Sequence, residues 1–281
     1  MPTNRQAVFC DKLFTLAAWS VGILGFSLPL MIIGFLLFNG IHIVSWKFLT
    51  QYPSGFPLGQ GGGILPAILG SMALVGGGLL IALPVGVGGA LYLSEYGKNR
   101  KALAAIRFAI ECLAAIPAII YGLFGYAFLV VFMSLKISLL AGIITLGLMM
   151  FPIILVGAQE AIQAVQWSYR ESALSLGVTR AYVIRRIILK KAWPGILAAT
   201  VLTAGHAMGT AAPVLFTAST VFTHSGLGLD APAMTLATHL YFLVSQATSF
   251  EHAFGTALVL VTVLIVVNCL ALLLKNFSPR D

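Results

Sequence analysis

Charge is what this sequence has least of. Only 16 of its 281 residues are Lys or Arg and 8 are Asp or Glu, 9% together, where a soluble domain carries about 25%. Hydrophobic residues make up 59%, and the mean hydropathy is +1.01. A globule of this size with so little polar surface would not stay dissolved, so the chain is read as a membrane protein. Cysteine is scarce as well. Cys10, Cys112 and Cys269 are odd in number and show no CxxC or ligand spacing, which supports neither a disulfide framework nor a metal site. The chain also lacks a GxxxxGK[ST] phosphate loop, and the glycines at 61–63 are not followed by Lys-Ser/Thr, so it is not itself an ATPase. No paired carboxylates and no Ser/His/Asp set suited to catalysis can be found. Short alternating strands of the kind a membrane barrel needs are missing too.

What is present is long apolar runs. Six stretches can cross a bilayer as helices: 14–38, 64–93, 108–133, 137–158, 196–219 and 252–274. The expected fold is all-α, with Pro66, Pro84 and Pro117 read as kinks. Arg5 and Lys12 precede a first run too long for a signal-peptide core, which is therefore expected to be an uncleaved span. The net charge of +8 is a matter of topology and does not point to nucleic acid. The N-terminus, 94–107, 159–195 and the C-terminus hold 14 of the 16 basic residues, against Lys47 and Lys136 on the opposite side. Both termini are accordingly expected in the cytoplasm. The divisions expected are an N-terminal segment 1–12, a first span with external loop 13–63, a transmembrane core 64–275, and a tail 276–281. On the outer side, 55–63 reads as a flexible turn-rich loop, and 233–244 as a short helix within the loop 220–251. A tight turn at 134–136 joins spans three and four. His42, His224, His239 and His252 read as scattered surface histidines rather than a metal site. Glu111, four residues after Arg107, is expected to pair with it. Glu95 is placed at the inner end of span two, touching a partner or capping the next helix, and Asp230 lies on the outer loop beside Gly226-x-Gly228.

The inner segment 160–194 is polar, basic and patterned as two helices: one over 160–176, a stop at Gly177, an N-cap at Thr179, and a second over 180–191 ending before Pro194. Its second helix sets Tyr182, Ile184, Ile187 and Ile188 against Arg180, Arg185, Arg186 and Lys190. That pattern suits either a helix lying on lipid headgroups or a docking element for a soluble partner. Glu171-Ser172-Ala173, three residues, Gly177, nine residues and Ile187-x-Leu189 keep the spacing of the loop E-A-A-x3-G-x9-I-x-L-P, with Ser172 in place of Ala and Lys190 in place of Pro. The segment thus resembles the coupling loop of ABC-importer permeases. Further pieces extend the likeness over roughly 60–275: Ile81-Ala82-Leu83-Pro84, Ala90-Leu91-Tyr92-Leu93-Ser94-Glu95-Tyr96, Ile116-Pro117 through Gly125, and Ala212-Pro213-Val214-Leu215-Phe216-Thr217-Ala218. Together they look like the phosphate-specific permeases of that family.

The resemblance implies a type I importer fold in a bacterial inner membrane. It also implies a PstC-like permease as heterodimer partner, a PstB-like ATPase dimer that holds ATP and magnesium, and an external phosphate-binding protein; this chain itself would bind no cofactor. Glu171, Ala173, Gly177, Arg180 and Arg185 would be the ATPase-coupling residues. The family's R-A-x-G-E-T-A-P is here His206-Ala207-Met208-Gly209-Thr210-Ala211-Ala212-Pro213, neutral at both charged positions. His206, Thr210 and Pro213 are the candidates for the translocation path. An alternative is that His206 only bonds a backbone carbonyl and Thr210 bonds back to the carbonyl of residue 206. Open alternatives for the whole chain are an importer of another small oxyanion, an ATP-independent transporter or channel, and a membrane scaffold.

Overall fold

The computed structural model describes residues 5–55, 58–59, 61–97, 99–221 and 228–277. Lys98, His224, Gly226, Arg280 and positions 56, 57 and 60 of the outer loop lie outside the described residues, as does the end of the tail.

Among the described residues, five helices are long and apolar enough to cross a membrane, six if one bent pair counts as a single span. Helix α1 (Arg5–Gly40) is followed by a short α2 (Trp46–Thr50) and two two-residue strands, β1 (Pro53–Ser54) and β2 (Gly61–Gly62), paired antiparallel. Helix α3 (Leu65–Tyr96) opens with a proline in its first turn, where a missing N–H costs nothing, and closes in a π-helical turn, Tyr92–Tyr96. Then come α4 (Arg100–Ala114), α5 (Ala118–Phe132) and α6 (Leu139–Gln163), the last capped by Ser138. The inner loop carries α7 (Trp167–Ser175), and α8 (Arg180–Gly209) leads back across. Short α9 (Ala212–Thr217) and α10 (Leu236–Ser245) precede α11 (Phe250–Phe277).

The centre is α3 laid along α6, with α8 on α6, α9 on α5, and α11 joining α1 to α8. Lipid supplies no hydrophobic drive between helices, so close backbone approach has to do the work. Gly78 of α3 lies so near Gly147 of α6 that a Cβ there would come within 3.3 Å of its nitrogen. Two apolar clusters result. The outer one includes Leu74, Leu146, Met150, Met234, Leu236 and Leu243, and the inner one includes Leu93, Ile162, Ala173, Val183, Ile184 and Ile188.

Three expectations are corrected. Span three is broken, with α4 and α5 meeting at 92°. Pro117 holds ψ at 137° and keeps Ile116 out of the helical region, and the Tyr121 hydroxyl donates to the Leu113 carbonyl at 2.7 Å across the gap. The inner loop's first helix is two pieces, because α6 runs on to Gln163 and α7 starts afresh at Trp167. Pro194 ends nothing: the loop's second helix is the inner end of α8. The Lys190 carbonyl that Pro194 leaves without a donor belongs to an exposed residue, where water can serve it. The outer loop is turn-rich as read, with Gly55, Gly59 and Gly62 at positive φ, and Ser45 caps α2 ahead of it.

The outer end is closed by α10, whose Leu236 N–H donates to Ser71 of α3 at 2.9 Å. His42 is exposed as expected, but His239 is 2% exposed, so it is a core residue. The Thr256 hydroxyl donates to the His252 carbonyl, so the 3.1 Å contact between His239 Nδ1 and Thr256 Oγ1 requires the proton on Nδ1. Burial, and then His252, push this imidazole down to about 4 from 6.5. Between those two values the unfolded chain takes up a proton that the folded one refuses. Thermal stability in detergent should therefore hold above pH 6.5 and fall as the pH drops towards 4, and His239→Gln should flatten that slope. A Cβ at Gly70 would run into the Met234 carbonyl, whereas one at Gly76 would meet nothing within 4 Å. Gly70→Ala should cost about 1–3 kcal/mol and Gly76→Ala should be neutral or gain up to about 1 kcal/mol, as melting in detergent would register.

Candidate functional site

The inner loop is a folded unit. Its bend lies where the spacing places it: Gly177 has φ +76°, a conformation that costs an L-residue about 1–2 kcal/mol. Thr179 then caps α8 by accepting from the Tyr182 N–H at 3.4 Å. Ala173 is buried, and Val183, Ile184 and Ile188 turn into the same inner cluster. The apolar face of the second helix is thus spent on the protein itself, which leaves a lipid-surface role little to rest on. Glu171 and Arg185 stay exposed. The Glu171 carboxylate is held by the Trp167 indole N–H at 2.8 Å, while Trp167 and Leu176 are 66% and 83% exposed. An anchored carboxylate beside bare apolar side chains is a surface suited to a protein partner.

Arg180 is also exposed, but its guanidinium turns back onto the end of α3. Its guanidinium donates to the backbone carbonyl of Glu95 and lies over the Tyr96 ring, 5.1 Å from its centre. Glu95 is 8% exposed and forms a buried ion pair with Arg170, itself 6% exposed. Neither role expected for Glu95 holds, since its carboxylate is turned inward and paired. Arg170 Nε and Nη2 donate to Glu95 Oε1 at 3.0 and 2.7 Å, Nη1 to the Val165 carbonyl at 2.7 Å, and Nη2 also to the Ile162 carbonyl at 3.2 Å. Ile162 is in the last turn of α6, where its carbonyl also accepts from the Val165 N–H at 3.3 Å, and Val165 lies just past the helix, so Arg170 ties α7 to the end of α6. The two charged residues are 75 positions apart, and nothing in one sequence links them. The available signal was only that a lone acid ends an apolar span and a lone Arg precedes Glu171.

Arg107 turns to Gln159, whose amide oxygen, facing the guanidinium, accepts at 2.9 and 3.1 Å, and not to Glu111 as its spacing suggests. Both flank a small cavity of about 160 Å³ that Glu111 and Glu160 also line.

The translocation candidates separate. His206 is exposed and lines an open cavity of about 830 Å³ between α6 and α8, with Glu160 and Thr203 its other polar lining residues. Thr210 lies beyond the end of α8, so it does not share a helical face with His206, and its hydroxyl donates to the His206 carbonyl at 2.6 Å. The bonding-back alternative describes Thr210, while the cavity describes His206. Pro213 is buried in α9 against Gly122 of α5, where a Cβ would come within 2.9 Å of it. Asp230 is exposed on a turn.

Residues 78–280 match the family of binding-protein-dependent transport system inner membrane components. The chain is 30% identical over 289 residues to the phosphate transport system permease protein PstA 2 of Mycobacterium bovis, covering 99% of this chain and 93% of that protein. It is 36% identical over 183 residues to PstA of Haemophilus influenzae, covering 65% and 64%. A probable ABC transporter permease of Bacillus subtilis, YqgI, is 29% identical over 82% of this chain and 83% of its own length. Two solved structures share the fold. A permease chain of the MetNI methionine ABC transporter, inward facing, has TM-score 0.59 and 20% identity over 77% of this chain and 94% of that one. A chain of a bacterial ABC transporter importing alginate has TM-score 0.61 and 15% identity over 97% and 99%.

The chain belongs to the family of inner membrane components of binding-protein-dependent transport systems. Within it, the chain is an ABC-importer permease close to PstA. Such a permease works beside another permease and a substrate-binding protein, and ATP hydrolysis lies in a separate subunit. Gly177→Asn, which tolerates a positive φ, should keep the ATPase subunit in a detergent pull-down, while Gly177→Val should lose most of it.

Proposed function

We propose that this chain is one of two transmembrane subunits of an ATP-driven importer of inorganic phosphate. It pairs with a PstC-like permease, receives phosphate from an external binding protein, and is driven by a PstB-like ATPase dimer that binds ATP and magnesium. The termini and the loop around Gly177 face the ATPase in the cytoplasm, as the 14 basic residues of that side suggest. The observation that carries this reading is the likeness to PstA along nearly the whole chain, at 30% identity over 99% of it. The folded inner loop supports it, since a surface with Glu171, Trp167, Leu176 and Arg185 outward suits an ATPase groove.

His206 belongs to the path. Its imidazole, on the cavity wall between α6 and α8, offers an oxyanion a hydrogen bond and, when protonated, a charge. Thr210 contributes by shaping the end of α8. Neutrality at both positions favours one second reading, import of another small oxyanion such as sulfate or molybdate.

Uptake of labelled phosphate by the reconstituted four-part complex, with sulfate and molybdate as competitors, separates the two. Competition by unlabelled phosphate alone is expected; uptake displaced by sulfate or molybdate at equal concentration would establish the second reading. His206→Ala should lower uptake about tenfold or more with assembly intact, and Thr210→Ala should lower it less.

A further inference from the structure

We propose that Glu95, Arg170 and Arg180 form the joint through which movement of the inner loop reaches the membrane helices, with Glu95 as a positioning residue for coupling. This rests on the ATPase-driven reading above and adds to it the element that transmits the motion.

Four chain segments converge on the pair. Glu95 sits in the π-helical turn that ends α3. Arg170 belongs to α7 and holds the Ile162 carbonyl in the last turn of α6 and the Val165 carbonyl just past it. Arg180 opens α8 and reaches the Glu95 carbonyl from the other side. A second π-helical stretch, Val183–Ile188, follows directly in α8 and packs against the same inner cluster. π-Helical turns concentrate at functional positions because they break the regular ladder for a specific side-chain arrangement.

The physical consequence is a joint with no slack. A guanidinium and a carboxylate, each more than nine-tenths buried, cannot part without stranding two charges away from water, so partial separation is disfavoured. A push on α7 is therefore passed to α3 through Glu95 and to α6 through the two carbonyls. The same push enters α8 directly, because that helix runs on through its π-helical stretch from Arg180 to Gly209 and ends three residues beyond His206 on the cavity wall. The loop, α3, α6 and α8 then move as one body. A merely stabilising ion pair would tie two elements; this one ties α7 to α3 and to the end of α6, with Arg180 bringing in the start of α8.

The test uses the whole complex in liposomes, with the native cysteines at 10, 112 and 269 replaced by Ser. Glu95→Cys/Arg170→Cys removes the tie and allows it to be restored by a bis-methanethiosulfonate spacer. The readout is the stimulation of ATP hydrolysis by binding protein loaded with inorganic phosphate, together with phosphate carried per ATP. Before cross-linking, the complex should still contain its ATPase but lose at least about tenfold of that stimulation; bridging should restore most of it. Wild-type stimulation in the unbridged pair, or a loss that the spacer does not repair, would overturn the joint. If the double variant fails to assemble, Glu95→Gln, which keeps volume and one acceptor, carries the test: stimulation reduced several-fold supports the joint, and full stimulation refutes it. A wild-type complex whose ATPase ignores the loaded binding protein would instead overturn the importer reading itself.

Discussion

The guanidinium of Arg170 stands where the Ile162 and Val165 carbonyls lie at and just past the end of α6 and where Glu95 brings a carboxylate into an apolar surround. A carboxylate left unpaired would be expensive at this depth; one planar group with five donors answers it and both carbonyls. The inner loop depends on that answer. With Arg170 in place, α7 is held against the end of α6 and Ala173 is drawn into the inner cluster. Arg180 and Gly177 can then set the direction in which α8 departs.

The rest of the fold is arranged around close helix contact, because lipid rewards nothing else. α3 meets α6 through glycines, and the broken pair α4–α5 meets α9 through Gly122 and Pro213. The segments that look like separate family pieces in the sequence, 116–125 and 212–218, thus meet through Gly122 and Gly125 of α5. Several polar side chains inside are anchored: Ser71 to the start of α10, Thr217 to the Pro213 carbonyl, His239 to Thr256. His206 differs, since its ring is on a cavity wall. That difference makes it, and not Thr210 or Pro213, the residue to associate with passage.

Much of this was legible from residue order. Long apolar runs reveal helices because each must satisfy its own backbone in lipid, and Gly177 followed by Thr179 reveals a bend and a cap because both are local chemistry. Proline proved ambiguous. The same residue type breaks a span at 117 and sits inside continuing helices at 84, 152 and 194. Histidine was ambiguous in the same way, with His42 at the surface and His239 in the core.

What the sequence determined by itself is membrane residence, the helical class, the family, and the bend and cap of the inner loop. These follow from composition and from interactions within a few residues. Only the tertiary structure decided that Glu95 and Arg170 pair, that Arg107 chooses Gln159 over Glu111, and that His206 lines a cavity while Pro213 is buried. Such contacts join residues tens of positions apart, and a charged side chain takes its partner from whatever the packing brings within reach, which no local pattern records.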